Sequence, residues 1–164
     1  MKAACNSTPL IYLAKAGELQ LLKKLFSTVP ITPDVFEEVV SAGKAKGFAD
    51  ASLVEEATKQ GWLTVRETGK QHFSAGQLDK SELSAINLAL DTKAECLLID
   101  EAPGRLAAKS LGLKCHGTVF IVLSALRKKI ISAEHARLIL RKIVSAGFRL
   151  KPELFAHAYE KTNQ

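Results

Sequence analysis

Residues 3–15 read Ala-Ala-Cys-Asn-Ser-Thr-Pro-Leu-Ile-Tyr-Leu-Ala-Lys, an apolar run that passes directly into a helical pattern. The run at residues 3–5 is typical of a strand that is buried on both faces. Pro9 favours the first turn of a helix, for which Ser7 or Thr8 is the expected N-cap. A strand that leads straight into a helix is the building unit of an α/β sheet.

The same alternation continues along all 164 residues. Helical segments of about 8 to 15 residues separate short apolar runs. The predicted strands are residues 3–5, 29–31, 62–65, 96–99 and 113–116. This order predicts an α/β sandwich of parallel strands with covering helices. Because right-handed crossovers bring the carboxyl ends of such strands to one edge of the sheet, ligands are expected to bind there.

Polar side chains occur where this edge is predicted. They are Asn6, Asp100, Glu101 and Thr118, each after a predicted strand, and Glu82 in the first turn of a helix that starts at Asp79. If strands 3–5 and 96–99 are neighbours, these oxygen atoms converge on one cleft. Carboxylate, amide and hydroxyl oxygens suit a hard cation such as Mg²⁺ or Mn²⁺, which can activate water near a phosphate.

Local structure offers a competing explanation for each of these residues. Glu82 lies three residues after Asp79, which is the spacing of a capping box. Asp100 is also suited to cap the helix that follows, Glu101 to complement its N-terminus and Asn6 to form an Asx-turn. Arg105 is placed either to contact a phosphate or to pair with Glu101 one turn earlier.

The positive charge is concentrated in the last part of the chain. The net charge is +6, but residues 1–100 carry 11 basic and 13 acidic side chains, whereas residues 101–164 carry 12 and 4. A basic region of this kind favours RNA, and a solvated helical face is the alternative. Arg127 and Lys128 end one predicted helix, and Arg137 and Arg141 recur at a spacing of four in the next. Both pairs are candidate phosphate contacts.

Several function classes receive no support from the sequence. The three cysteines have no zinc spacing, so we expect buried free thiols in a reducing cytoplasm. There is no phosphate-binding glycine motif, and no apolar run is long enough to span a membrane. A phosphotransfer domain would require a nucleophilic Asp after the first strand, where this chain has Asn6.

The order of these motifs resembles the PIN-domain family, in particular its prokaryotic branch related to toxin ribonucleases. The resemblance rests on residues 6–15, 17–26 and 31–39, on residues 81–89 and 97–101, and on Arg105 and Gly117-Thr118 ahead of an apolar helix. It covers residues 1–150, which we expect to form one PIN-like domain. Residues 151–164 are expected to form a C-terminal helix that packs on or flanks it.

The resemblance implies a three-layer α/β/α sandwich with a mainly parallel central sheet, and cleavage of RNA phosphodiesters with Mg²⁺ or Mn²⁺. Glu82 and Asp100 match family acids, and Glu101 stands where a further acid is common. Asn6 replaces the usual first Asp, so a formal negative charge is missing. Thr118 lies where many members have a fourth acid or a Ser/Thr, and we expect Thr118 and Arg105 to contact nucleic acid.

The leading hypothesis is therefore a metal-dependent endoribonuclease with Asn6, Glu82 and Asp100 as catalytic residues and Glu101 as a further metal ligand. The resemblance also implies the toxin of a toxin–antitoxin pair, with an antitoxin protein as partner and a homodimer as the assembly. The alternative is a non-catalytic RNA-binding module with a degenerate metal site.

Overall fold

Five short strands, each parallel to its neighbour, form the centre of the protein. The computed structural model describes residues 1–164. The strands are β1 (Ala3–Cys5), β2 (Val29–Ile31), β3 (Leu63–Val65), β4 (Cys96–Leu98) and β5 (Cys115–His116). Strands β1, β4 and β5 pair in that order, and β2 pairs with β3. Strand β2 also lies against β1. The predicted parallel α/β architecture is confirmed.

The helices connect and cover these strands. They are α1 (Ser7–Lys15), α2 (Gln20–Phe26), α3 (Pro33–Phe36), a π-helical turn (Glu37–Ser41), α4 (Ala42–Ala45), α5 (Ala49–Lys59), α6 (Lys80–Asp91), α7 (Ala102–Ser110), α8 (Thr118–Arg127), α9 (Ala133–Ser145) and α10 (Pro152–Lys161). Helix α1 packs against α5, α8 and α9, while α6 packs against α7 and against β1 and β4. None of the helices is both long and apolar enough to cross a membrane.

One apolar core holds the layers together. Strand residues such as Ala4 and Leu97 are fully buried. Leu10 and Leu13 of α1, and Ile86 of α6, are equally buried and belong to the same cluster. The continuous apolar strands follow from this packing, because a strand covered on both faces has no solvent side for polar residues.

The start of α1 differs from the prediction. Neither Ser7 nor Thr8 is its N-cap; Asn6 occupies that position with an extended backbone, and its side chain makes no cap hydrogen bond. The Ser7 and Thr8 hydroxyls instead donate hydrogen bonds to the carboxylates of Glu38 and Glu101. Long-range carboxylate partners thus replace the local bond that the sequence pattern favours.

Asn87, a buried residue of α6, holds part of the polar loop between β3 and α6. The Oδ1 atom of Asn87 accepts hydrogen bonds from the backbone N–H groups of His72 and Phe73, at 2.7 and 2.9 Å. Its Nδ2 donates to the carbonyls of Phe73 and Leu83, at 2.9 and 3.0 Å. The Asn87 amide, together with Asp91 on Gly69 and His72, therefore replaces the strand or helix bonds that this loop lacks.

Helix α10 packs on α8 and α9 with Ala158 buried. The Arg137 guanidinium donates a hydrogen bond to Asn163 Oδ1 at 2.8 Å and lies over the Tyr159 ring. Arg141 donates to the Tyr159 hydroxyl at 3.2 Å. Two arginines of α9 thus fasten the C-terminal helix to the rest of the chain.

Candidate functional site

The carboxyl ends of β1 and β4 bring Asn6 next to Glu101. The Asn6 backbone N–H donates to the Leu98 carbonyl at 2.9 Å, which continues the parallel ladder. The Asn6 Nδ2 atom then donates to Glu101 Oε2 at 3.2 Å, and the Thr8 hydroxyl donates to the other oxygen of the same carboxylate. Two neutral donors from the start of α1 thereby orient Glu101.

The Asn6 side chain keeps one atom without a partner. Asn6 is only 2 % exposed, and its buried Oδ1 atom accepts no hydrogen bond. An unsatisfied buried acceptor costs about 1–3 kcal/mol. Such an atom beside a carboxylate is free to accept a contact from a ligand.

Asp100 is held by the first residue of α8. The Thr118 backbone N–H donates to its Oδ1 at 2.8 Å, and the Thr118 hydroxyl donates to its Oδ2 at 2.6 Å. Burial and the neighbouring Glu101 charge raise the pKa of Asp100, while the Thr118 hydrogen bonds and Arg105 partly oppose that increase. A cation at this carboxylate would favour its charged form and so oppose the raised pKa.

Gly117 leaves the room that this arrangement needs. A Cβ atom at residue 117 would overlap Asp100 Oδ1 and would lie 3.1 Å from an Arg105 nitrogen. The backbone at Gly117 is extended, so lack of space and not backbone conformation requires glycine here.

Glu82 has the local role that the capping-box spacing predicts. Its backbone N–H donates to Asp79 Oδ1 at 2.7 Å, and its Oε2 accepts from the Asp79 N–H at 3.0 Å. A Cβ at Gly104 would lie 3.0 Å from its Oε1, so the first turn of α7 lies close against this carboxylate. Burial raises the pKa of Glu82, and the Asp79 and Glu101 charges add to this effect. Glu82 therefore both forms the capping box of α6 and lies near enough to Glu101 to feel its charge.

Arg105 lies at the mouth of the site. Its guanidinium donates to the Ile99 carbonyl at 3.2 Å and forms no ion pair with Glu101. The guanidinium instead lies close to Gly117 and Asp100.

The structure adds Glu38, which the sequence analysis did not single out. It lies in the π-helical turn, and its carboxylate accepts a hydrogen bond from Ser7, the residue after Asn6. In the sequence, Glu37 and Glu38 have the pattern of early-helix acids. No pattern in the neighbouring sequence predicts the π-helical turn that brings Glu38 to α1. Turns of this kind often occur at functional sites.

The predicted nucleic-acid residues have different surroundings. Arg127 and Lys128 are exposed at the end of α8. Arg137 and Arg141 bind residues of α10, as described above, and their phosphate contacts stay a prediction. Thr118 is fully buried and its hydroxyl is used by Asp100, so we assign it as a positioning residue.

The donor set fits a divalent ion that keeps most of its water. No three His, Cys, Asp or Glu side chains lie close enough together to hold a metal ion. Mg²⁺ requires only one or two carboxylates with water for the remaining ligands. Asp100, Glu101 and the unpartnered Asn6 oxygen meet that requirement and contain only hard oxygen ligands.

Comparison with known proteins bears on the fold and the family of the chain. Among solved structures, the chain is similar to a PilT N-terminus domain protein from the hyperthermophilic archaeon Sulfolobus solfataricus P2, with a TM-score of 0.57 and 21% sequence identity. The match covers 77% of this chain and 94% of that one, and it supports the fold alone. No curated protein gives a significant match.

The family comparison covers nearly the whole chain. The family model described as PIN domain matches residues 2–164. PIN domains are generally nucleases that use divalent metal ions, and the oxygen-rich edge described above has suitable ligands. On this match and this fold, the chain belongs to the PIN-domain family.

Proposed function

We propose that this protein is an endoribonuclease that cleaves RNA phosphodiesters with Mg²⁺ or Mn²⁺. The observation that carries the proposal is the unpartnered, buried Asn6 Oδ1, which lies beside Glu101 at the carboxyl edge of the sheet. This oxygen accepts no hydrogen bond from the fold, and a hydrated cation would satisfy it.

Asn6, Asp100 and Glu101 would hold the ion, and Glu82 lies behind them against α7. A divalent ion in this position supplies positive charge to phosphate oxygens and lowers the pKa of a bound water. Nearby side chains fix the carboxylates: Thr118 holds both oxygens of Asp100, and Asn6 and Thr8 hold those of Glu101. Arg105 is placed to attract the phosphate towards Asp100.

The test is cleavage of a single-stranded RNA with Mn²⁺ by the purified protein. Asp100→Asn retains an acceptor for the Thr118 N–H, and Glu82→Gln retains an acceptor for the Asp79 N–H. We expect each variant to lose activity by about 100-fold or more, since Asp100→Asn removes a charge from the ion site and Glu82→Gln removes one beside Glu101. Equal cleavage by the wild type and both variants would reveal a contaminating nuclease and would contradict the assignment.

We further propose that the nuclease acts in the cytoplasm as the toxin of a toxin–antitoxin pair, and that it forms a homodimer. The three cysteines are free and buried, which suits a reducing compartment. Induced expression should arrest growth in the wild type but not in Asp100→Asn. Co-expression of the protein encoded next to it should relieve the arrest, and light scattering of the purified chain should give twice its monomer mass.

A non-catalytic RNA-binding module is the second candidate. It is favoured by Asn6, which is neutral, and by the absence of any three grouped metal-binding side chains. This candidate predicts RNA binding that is unchanged by Mn²⁺ and by Asp100→Asn, with no cleavage by any variant.

A further inference from the structure

Two adjoining cavities form one groove along α8. The first has a volume of about 610 Å³, includes Asp100 in its wall and is bordered by α7 and α10. The second has a volume of about 780 Å³ and continues to Lys161 and Gln164 near the end of the chain. Both include Phe120, Leu123 and His157 in their walls, so they are continuous. We call this feature the α8 groove.

The charge of the α8 groove has one sign. Its basic lining residues are Arg105, Lys109 and Arg149 in the first cavity and Arg127, Lys129 and Lys161 in the second. Asp100 is the one acidic residue in either wall. Cationic walls around a partly apolar floor concentrate field lines and attract a polyanion. The groove therefore leads an anionic chain towards Asp100.

Two flat side chains lie against Phe120, which lines both cavities. The Phe120 ring stacks on the His116 ring with their centroids 3.6 Å apart and their planes 9° apart. The Arg127 guanidinium lies 5.9 Å from the Phe120 centroid. Aromatic rings and guanidinium planes are the surfaces on which unpaired bases stack. These side chains thus offer a stacking platform between two rows of cations.

We propose that the α8 groove binds the single-stranded RNA segment that flanks the scissile phosphate at Asp100. This inference rests on the proposed function, because it assigns the direction in which the substrate leaves the metal site. A duplex keeps its bases paired and stacked inside, so it has no free base for the Phe120 platform. The platform together with the cations selects a single strand.

This assignment gives α10 a role in substrate binding. Helix α10 supplies Leu154, His157 and Lys161 to the groove walls. Tyr159, on the same helix, is bound by Arg137 and Arg141 of α9. The two arginines thus keep one wall of the groove in position.

Binding is measured by fluorescence anisotropy with a labelled single-stranded oligouridine of about 12 nucleotides, within the usual site size of such grooves. The protein is kept in EDTA so that no metal is bound and no RNA is cut. The groove variant is Lys109→Glu with Arg149→Glu, and the matched control is Lys24→Glu with Lys46→Glu. All four lysines and arginines are exposed, and both variants change the charge equally.

We expect the groove variant to bind at least tenfold more weakly, and the slope of log K against log salt to become shallower by roughly 0.7 per lost phosphate contact. The control should bind within about twofold of the wild type, since only non-specific attraction is lost. Phe120→Leu should weaken binding by about tenfold through lost stacking, without altering the salt slope.

Equal binding by the groove and control variants would overturn the inference. The second overturning outcome concerns a labelled oligoglutamate peptide. If it binds the wild type more tightly than the RNA does, and binds the groove variant more weakly, the groove holds an acidic protein segment and not RNA. The proposed function is tested separately by Mn²⁺-dependent cleavage. If the groove does not bind RNA, the cleavage assay can still succeed. If the protein does not cleave RNA, its RNA binding can still be measured in EDTA.

Discussion

Thr118 holds both oxygens of the Asp100 carboxylate, with its backbone N–H on Oδ1 and its hydroxyl on Oδ2. The two residues lie at the ends of neighbouring parallel strands, β5 and β4, so the sheet itself sets their separation. Asp100 is thereby fixed before any ion or substrate binds, which is the form of preorganisation that metal sites require.

Gly117→Ala tests this preorganisation. The new Cβ would overlap Asp100 Oδ1 and displace the carboxylate from Thr118. We expect Mn²⁺-dependent RNA cleavage to fall by about 10–100-fold, because small misplacements at a reacting centre have effects of that size. The matched control is Gly76→Ala, where an added Cβ meets no atom within 4 Å. Similar activity for the two variants would show that the position of Asp100 does not matter.

Asn6→Asp tests whether residue 6 faces the ion. Without metal, the new carboxylate lies beside Glu101, so we expect a lower melting temperature through charge repulsion. With Mn²⁺, the added charge should tighten binding roughly tenfold or more, since affinity rises with the charge of the ligand set. Calorimetric titration measures this, with Asn163→Asp at an exposed position as control. Unchanged Mn²⁺ affinity would place residue 6 outside the metal site.

The pH dependence of stability tests the environment of His116. Burial lowers the pKa of His116 below its ordinary value of 6.5, and the charge of Arg105 adds to this effect. The unfolded chain therefore takes up the proton first as the pH falls through 6.5, and that uptake destabilises the fold. His116→Gln should lose less stability than the wild type between neutral and mildly acidic pH. Thermal melts should show this difference, whereas His157→Gln, at an exposed position, should follow the wild type.

Asn87→Ala should loosen the loop between β3 and α6. The variant leaves the N–H groups of His72 and Phe73 without their acceptor, so we expect a loss of about 1–3 kcal/mol in the free energy of unfolding. Urea denaturation measures it. Asn87→Asp retains the acceptor oxygen but loses both donated hydrogen bonds. Its free energy of unfolding should therefore differ from that of Asn87→Ala. Wild-type stability in both would mean that the loop is held elsewhere.

Arg137→Ala with Arg141→Ala tests the predicted phosphate contacts of α9. If both arginines bind phosphate, the salt slope of RNA binding becomes shallower by roughly 1.4. Tyr159→Phe is the control, because it removes the hydroxyl that Arg141 binds without changing the charge. An unchanged salt slope, accompanied by faster proteolysis of α10, would show that these arginines only fasten the helix.

Much of the architecture was predictable from local pattern. The strands at residues 3–5 and 29–31 were predicted with the observed bounds, because apolar runs and polar breaks mark their ends, and a C-terminal helix was predicted within residues 151–164. The capping box of Asp79 and Glu82 was equally readable, since both of its hydrogen bonds lie within four residues. The bounds of other strands shifted by one or two residues: the strand predicted at 62–65 is observed at Leu63–Val65.

The sequence by itself determined the residue types at the sheet edge and the order of strands and helices, because apolar periodicity and helix caps act over a few neighbours. Only the tertiary structure decided which polar groups meet. The pairing of β1 with β4 brings Asn6 to Glu101 across 95 positions, and the π-helical turn directs Glu38 to Ser7. Such contacts depend on how strands align and helices pack, and no short stretch of chain encodes that alignment.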